Sequence, residues 1–208
     1  MSVERSEFEL QTGVSRETYE KLDRYVELVK KWSPRINLVG RSTLSDIWTR
    51  HILDSAQLVS LCPKRAEHWL DIGSGGGFPG VVVGIMAQAT KPELRLTLVE
   101  SDQRKCAFLS AALRETGVHG NVLCARSEEL DHIGADVVSA RALAPLSALL
   151  GHAERHLSSG GTALFPKGAN YQKELINALD SWSFHCETHP SKTDTDAVVF
   201  SISEIKRA

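Results

Sequence analysis

The chain has 208 residues, 42% of them hydrophobic and 24% charged, with a formal net charge of −2. That is the size of one domain able to bury roughly 70% of its unfolded surface, so a full core needs neither disulfides nor a structural metal. The charge excludes wholesale electrostatic attraction to nucleic acid or an anionic membrane and leaves room only for a local basic patch.

Glu4, Glu7 and Glu9 stand where a secretory signal would need an apolar centre, and no apolar run reaches the ~18 residues that suggest a membrane span, so a cytoplasmic location is expected. Cys62, Cys106, Cys124 and Cys186 are scattered, without Cys-x-x-Cys or zinc spacing. They read as buried or neutral thiols, and no metal is expected.

Tyr19, Leu22, Val26, Val29 and Trp32 recur at helical intervals behind a Ser15 cap, which predicts an amphipathic helix over 15–33 closed by Pro34. A second helical stretch is expected over 44–61, with Ile47, Trp48, Ile52, Leu58 and Leu61 as its apolar positions, ending before Cys62-Pro63. Residues 1–62 thus read as a helical extension belonging to the same compact unit as residues 63–208.

Beyond Pro63, short apolar runs alternate with helix-period stretches, the pattern of β-α-β units on a parallel sheet and hence of an α/β fold. Strands are predicted at 68–72, 94–100, 121–124, 136–140 and 162–165, and helices at about 79–88, 102–115, 146–157 and 171–179. Ser158-Ser159-Gly160-Gly161 reads as a helix stop and turn. The runs 182–188 and 197–203 follow one another with only a polar turn between them. They predict a hairpin that ends the mostly parallel sheet on an antiparallel edge.

The most informative segment is Asp71-Ile72-Gly73-Ser74-Gly75-Gly76-Gly77-Phe78-Pro79-Gly80, between the first strand and a helix. Glycines there let a ligand approach the backbone, and in open parallel sheets ligands sit where the strand order reverses. A purely structural turn would be a costly use of four glycines in the five positions 73–77. Two ligand templates fit. Gly75, Gly77 and Gly80 match the dinucleotide pattern G-x-G-x-x-G, with Glu100 at the ribose distance. Asp71, Gly73, Gly75 and Gly77 match acid-x-Gly-x-Gly-x-Gly, the adenosylmethionine loop of Rossmann-like methyltransferases, in which Glu100 again takes the ribose. The leading acid favours a cationic ligand over a pyrophosphate. The terminal hairpin and the acidic Ser127-Glu128-Glu129 after the third strand, where methyltransferases hold the adenine, point the same way.

Asn37-Leu38-Val39-Gly40, Arg50-His51-Ile52-Leu53-Asp54-Ser55, the glycine segment, Ser139-Ala140-Arg141-Ala142-Leu143-Ala144-Pro145-Leu146 and Lys167-Gly168 occur in this order. In these motifs the chain resembles the glucose-inhibited division protein B family, also called ribosomal RNA small subunit methyltransferase G, over nearly its whole length from Tyr19. The departures are Gly76 and Val81-Val82-Val83, in place of an expected Ala and a more varied run. The resemblance implies a Rossmann-like class I methyltransferase that uses S-adenosylmethionine to methylate N7 of one guanine in 16S rRNA. It implies donor contacts from Gly73 and Phe78, adenine contacts from Ser127 and Glu128, and Arg141 closing the site.

Guanine N7 carries no proton, so such a transfer needs positioning and electrostatics rather than a general base. Arg141 follows the fourth strand, where there is neither an amine-holding Asn-Pro-Pro-Tyr nor a nucleophilic Pro-Cys, and it is the one candidate for a catalytic role. An ordinary strand-end ion pair is its competing reading. Residues 28–51 carry Lys30, Lys31, Arg35, Arg41 and Arg50 against Asp46, a net of +4, whereas residues 1–27 sum to −3. This basic stretch, with Asn37, Arg50 and His51, faced by Lys167, is the expected grip on 16S rRNA or the small subunit. A solvated helix face is the alternative, and His51 reads equally as a capping or packing histidine. Trp32 and Trp48 fit the core better than a stacking platform. The chain is expected to act as a monomer without an obligate protein partner. A small-molecule methyltransferase, a nucleotide-sensing protein without turnover and a dinucleotide oxidoreductase are the competing functions.

Overall fold

The computed structural model describes the backbone of residues 3–208 and the side chains of all of these except residues 3–7 and Arg41. The charges of Glu4, Arg5, Glu7 and Arg41 counted above therefore lie outside the described residues. Helix α1 spans Val3–Thr12, and α2 spans Arg16–Ile36 behind Ser15, whose side chain accepts from the Thr18 amide as the cap. Pro34 does not close α2 but sits inside its last turn. Helix end and proline part company because Asn37, in the left-handed region at φ 49°, turns the chain and returns its N–H to the Ser33 carbonyl.

The stretch predicted as a second helix is broken into turns of different pitch. A 3-10 turn at Arg41–Thr43 precedes a π-helical segment at Trp48–Leu53, which runs into the short α3, Asp54–Ala56, and a final 3-10 segment, Gln57–Leu61. Seven strands and four helices follow. They are β1 His68–Ile72, α4 Gly80–Thr90, β2 Arg95–Glu100, α5 Gln103–Thr116, β3 Gly120–Cys124, β4 Ala135–Ser139, α6 Leu146–His156, β5 Leu157–Lys167, α7 Tyr171–Leu179, β6 Trp182–Pro190 and β7 Val198–Arg207.

The strands form one sheet in the order β3-β2-β1-β4-β5-β7-β6. Pairing is parallel from β3 through β5, while β7 is antiparallel to both β5 and β6. The expected antiparallel end is present, with β7 slotted between β5 and β6. Ser158-Ser159-Gly160-Gly161 is not a turn outside the sheet but the first part of β5, where the register against β4 shifts and Gly160 takes φ 75°. The strand order reverses between β1 and β4, and there the sheet opens a crevice at the strands' carboxyl ends.

Two apolar layers cover the sheet. On one face Leu22, Tyr25, Val26 and Val29 of α2 pack with Ile52 and Leu58, Val81 and Val82 of α4, and Phe108 of α5. Each such fully buried side chain contributes roughly 1.5–3 kcal/mol. Side chains from Phe8 to Leu58 thus join the core itself, and Trp32 and Trp48 pack, partly buried, against it. On the other face α6 and α7 cover Leu70, Val138 and Phe165. Among the described residues no helix is long and apolar enough to cross a membrane.

Candidate active site

The crevice holds a cavity of about 640 Å³ whose walls come from the glycine turn, the ends of β2 and β4, the turn after β3 and, unexpectedly, the N-terminal segment through Leu38 and Val39. The volume lies within the range of small-molecule sites. Gly73, Gly75 and Gly77 have φ of 66°, 55° and 87°, in the left-handed region where a side chain is strained. Gly73, Gly75 and Phe78 line the cavity, but Gly77 does not. A Cβ at Gly77 would lie 2.6 Å from Val81 Cγ2 and 2.7 Å from the Tyr25 hydroxyl, so its missing side chain serves packing behind the loop.

Asp71 also lies behind the wall. It is fully buried, its Oδ1 accepting from the Ser139 hydroxyl at 2.6 Å and its Oδ2 from the Gly80 amide at 3.3 Å. Burial pushes its carboxyl up to about 6, against these hydrogen bonds. The expected direct contact with a cationic ligand is therefore replaced by an indirect role, tying β1, β4 and the start of α4 around the turn.

Glu100, at the tip of β2, accepts from the amides of Gly75 at 2.9 Å, Ser101 at 2.7 Å and Asp102 at 2.8 Å. An ionised carboxylate offers about four acceptor sites, so one remains for a ligand hydroxyl. Ser127 and Glu128 line the cavity beyond it, and His152 of α6 joins them with Nδ1 2.9 Å from the Ser127 hydroxyl. A nucleoside fits this wall, which has a carboxylate with spare capacity, the apolar sides of Ile72, Val99 and Leu38, and polar groups at the far end.

Arg141 lies at the mouth with its side chain 16% exposed. It donates to Asp54 Oδ2 at 3.0 Å, to the Arg50 carbonyl at 3.1 Å and to His51 Nδ1 at 2.7 Å, and its guanidinium stands 5.1 Å from the Phe78 ring centroid. The ion-pair reading and the site reading of this residue thus describe one arrangement. His51 Nδ1 must accept from Arg141, which places the ring proton on Nε2, 2.8 Å from Thr43 Oγ1. Burial, then Arg141 and Arg50, lower the His51 pKa to about 4. This histidine is neutral and engaged, and it offers no charge to a phosphate.

Of the other members of the expected basic rim, Asn37 caps α2 through its backbone N–H and leaves its side chain exposed, whereas the Lys167 ammonium, nearly buried, bonds Glu174 at 2.7 Å and the Ala144 carbonyl at 3.0 Å. Arg50 is exposed, lining a second cavity of about 750 Å³ that adjoins the first across Arg141, Ala142 and Leu143. Sequence reading missed Tyr25, Leu38, Val39, His152 and Leu143. The first three lie far from the glycine turn in the chain; Leu38, Val39 and Leu143 fall within family motifs that gave their apolar side chains no role of their own.

A glycine turn at the reversal of a 3-2-1-4-5-7-6 sheet, facing a nucleoside-sized cavity, belongs to the Rossmann-like methyltransferases that use S-adenosylmethionine. Solved structures share the fold. One is a TehB-like S-adenosylmethionine-dependent methyltransferase of Corynebacterium glutamicum, with TM-score 0.58 and 13% identity over 84% of this chain and 96% of that one. Another is Aeropyrum pernix fibrillarin with natively bound S-adenosylmethionine, with TM-score 0.55 and 18% identity over 74% and 75%. The chain belongs to the rRNA small subunit methyltransferase G family, whose sequence model matches residues 18–197. It is 52% identical over 198 residues to the ribosomal RNA small subunit methyltransferase G of a Ruegeria species, covering 95% of this chain and 96% of that protein.

Proposed function

We propose that the protein transfers a methyl group from S-adenosylmethionine to N7 of one guanine in the 16S rRNA of the small ribosomal subunit. The family match over residues 18–197 carries this reading, and the nucleoside-sized cavity at the sheet's reversal supports it. Bound there, S-adenosylmethionine supplies an electrophilic methyl on a sulfonium.

The residues around it supply position. Glu100 takes a ribose hydroxyl with its remaining acceptor site, and Ser127 and Glu128, with His152 behind the serine, hold the adenine. Gly73, Gly75 and Phe78 let the donor lie along the turn, while Asp71 and Gly77 keep that turn in shape from behind. Arg141 spends three of its five N–H groups on Asp54, Arg50 and His51. The two left over serve the donor's carboxylate, the base or a phosphate, with the whole group fixed in advance. N7 attacks with its own lone pair, so no side chain removes a proton. Among the four residues expected to grip RNA, the exposed Arg50 and Asn37 keep that role.

The test is transfer of radiolabelled methyl from S-adenosylmethionine into ribosomes from a strain lacking the gene. Loss of a single N7-methylguanine from 16S rRNA on deletion, with label restored there by the purified protein, is the expected result. Label confined to small molecules, or calorimetry showing tighter binding of NAD than of S-adenosylmethionine, would overturn the reading.

A further inference from the structure

The second cavity is walled on one side by α7 and on the other by the segment from Arg141 to Pro145. That segment is pinned at both ends. Arg141 is held by Asp54 and His51, while at the far end the Ala144 carbonyl accepts from Lys167 at 3.0 Å and the Leu146 amide donates to Glu174 at 2.8 Å. Between the pins Ala142 takes φ 53°, a strained value for a residue with a Cβ. Leu143, 42% exposed, lies against Gly73, with its Cδ1 2.6 Å from where a Cβ on that glycine would be. An apolar side chain held on strained backbone thus forms the partition between two cavities.

Across the second cavity stand Asn170, Lys173, Glu174 and Asn177. Their spacing of i, i+3, i+4 and i+7 puts them on one face of α7 and its cap. Glu174 is half fixed. Its Oε2 accepts from Lys167 at 2.7 Å and from the Leu146 amide, while Oε1 has no partner among the described residues. The carboxamides of Asn170 and Asn177 are likewise without partners among the described residues. A carboxylate oriented by a buried ammonium, with its second oxygen open and amides beside it, is a reader of paired N–H donors.

We propose that this cavity receives the acceptor guanine, unstacked from its loop, and that the polar face of α7 reads its N1 and N2 edge, with Glu174 Oε1 accepting those protons. The proposal rests on the reading of the protein as a guanine-N7 methyltransferase and names the residues that choose the base. Guanine presents two adjacent donors on that edge. Adenine presents a bare N1 acceptor there, which a carboxylate repels, so the choice of base follows from the unpaired polar groups a wrong base would leave. The amide groups of Asn170 and Asn177 and the Lys173 ammonium match O6. A base held by its N1 and N2 edge keeps its imidazole edge, with N7, free for the donor. Leu143 covers the purine's apolar surface at the boundary.

The test uses Glu174→Gln and, because Glu174 also anchors Lys167, Asn177→Ala, whose side chain bonds nothing among the described residues. Each is assayed with undermethylated 16S rRNA or small subunits, alongside S-adenosylmethionine affinity by calorimetry. Losing a charge-assisted bond should lower kcat/KM for RNA in Glu174→Gln by about tenfold or more, and Asn177→Ala should lower it several-fold, both with donor affinity unchanged. Wild-type activity with unchanged kcat/KM in both variants would overturn the assignment to α7 and leave the function standing. A wild-type protein that labels no guanine N7 in 16S rRNA would overturn both.

Discussion

Tyr25, in the middle of α2, donates its phenolic O–H to the carbonyl oxygen of Gly76 in the glycine turn, fifty-one residues further along the chain. The phenol is fully buried, which raises its pKa well above the ordinary value, and its ring centroid lies 5.3 Å from that of Phe78. The donor turn is therefore held from outside the sheet by the N-terminal helices. Phe78 passes this support on to Arg141 through the guanidinium over its ring.

Tyr25→Phe keeps the ring and removes only the hydroxyl, leaving the Gly76 carbonyl without its partner. A buried acceptor so stranded costs about 1–3 kcal/mol. Urea unfolding should show a loss of that order, and calorimetry should show several-fold weaker S-adenosylmethionine binding. A destabilised variant with wild-type donor affinity would mean that the turn keeps its shape without Tyr25.

The Arg141–Asp54 pair should prove coupled. Asp54 also accepts from Thr193 at 3.2 Å and Gln57 at 2.9 Å, so it joins the β6–β7 turn to the guanidinium at the site. Arg141→Ala is expected to cut methyl transfer by about a hundredfold or more, as for loss of a positioned charge. Asp54→Asn should follow it in part by freeing the arginine. A double-mutant cycle on turnover and on unfolding should give an interaction of about 0.5–3 kcal/mol. Strictly additive effects would show that the two side chains act separately.

His51 gives stability a defined pH dependence. Its pKa is lowered to about 4 in the folded protein from an ordinary value of 6.5, so the unfolded chain binds this proton first on acidification. Its contribution is complete above pH 6.5 and is lost as pH falls through 4. Asp71 works in the opposite sense. Raised to about 6 from 3.8, it contributes fully below pH 3.8 and loses that contribution as pH rises through 6. Because the two offset one another, the comparison that isolates His51 is with His51→Gln, which does not titrate. Urea midpoints between pH 7.5 and 4 should fall more steeply for the wild type, and parallel curves would remove His51 from the account.

The parts legible in the sequence are those where one local pattern has one physical meaning. The unbroken burial of His68–Ile72, the glycine turn after it, and two strand-like runs with no helix between them are of this kind. The cap at Ser15 was equally readable, because the side chain acts on its own helix. What escaped depends on partners distant in the chain. Asp71 looked like a ligand contact until Ser139 and Gly80 claimed both its oxygens. Lys167 and His51 looked like members of a phosphate grip until Glu174 paired with one, while burial, and after it Arg141, kept the other uncharged. Tyr25 falls within the apolar stripe of α2, and nothing local marks the one hydroxyl that reaches the turn. Pro34 misled because its constraint acts backward on Lys30, whereas the helix end was set by Asn37.

The apolar layer shared by α2, α4 and α5 has a consequence for biosynthesis. Residues 3–62 leave the ribosome first, yet Leu22, Tyr25 and Val26 meet partners such as Val81 and Phe108 that are translated later. Until then this amphipathic helix is covered only in part, by neighbours such as Ile52 and Leu58, and the turn it will brace does not yet exist. The donor pocket is therefore a late product of synthesis, complete only once Ser139, Arg141 and, last, His152 of α6 have been made. A fragment begun at Pro63 would keep every glycine of the turn and lose the groups that hold it open.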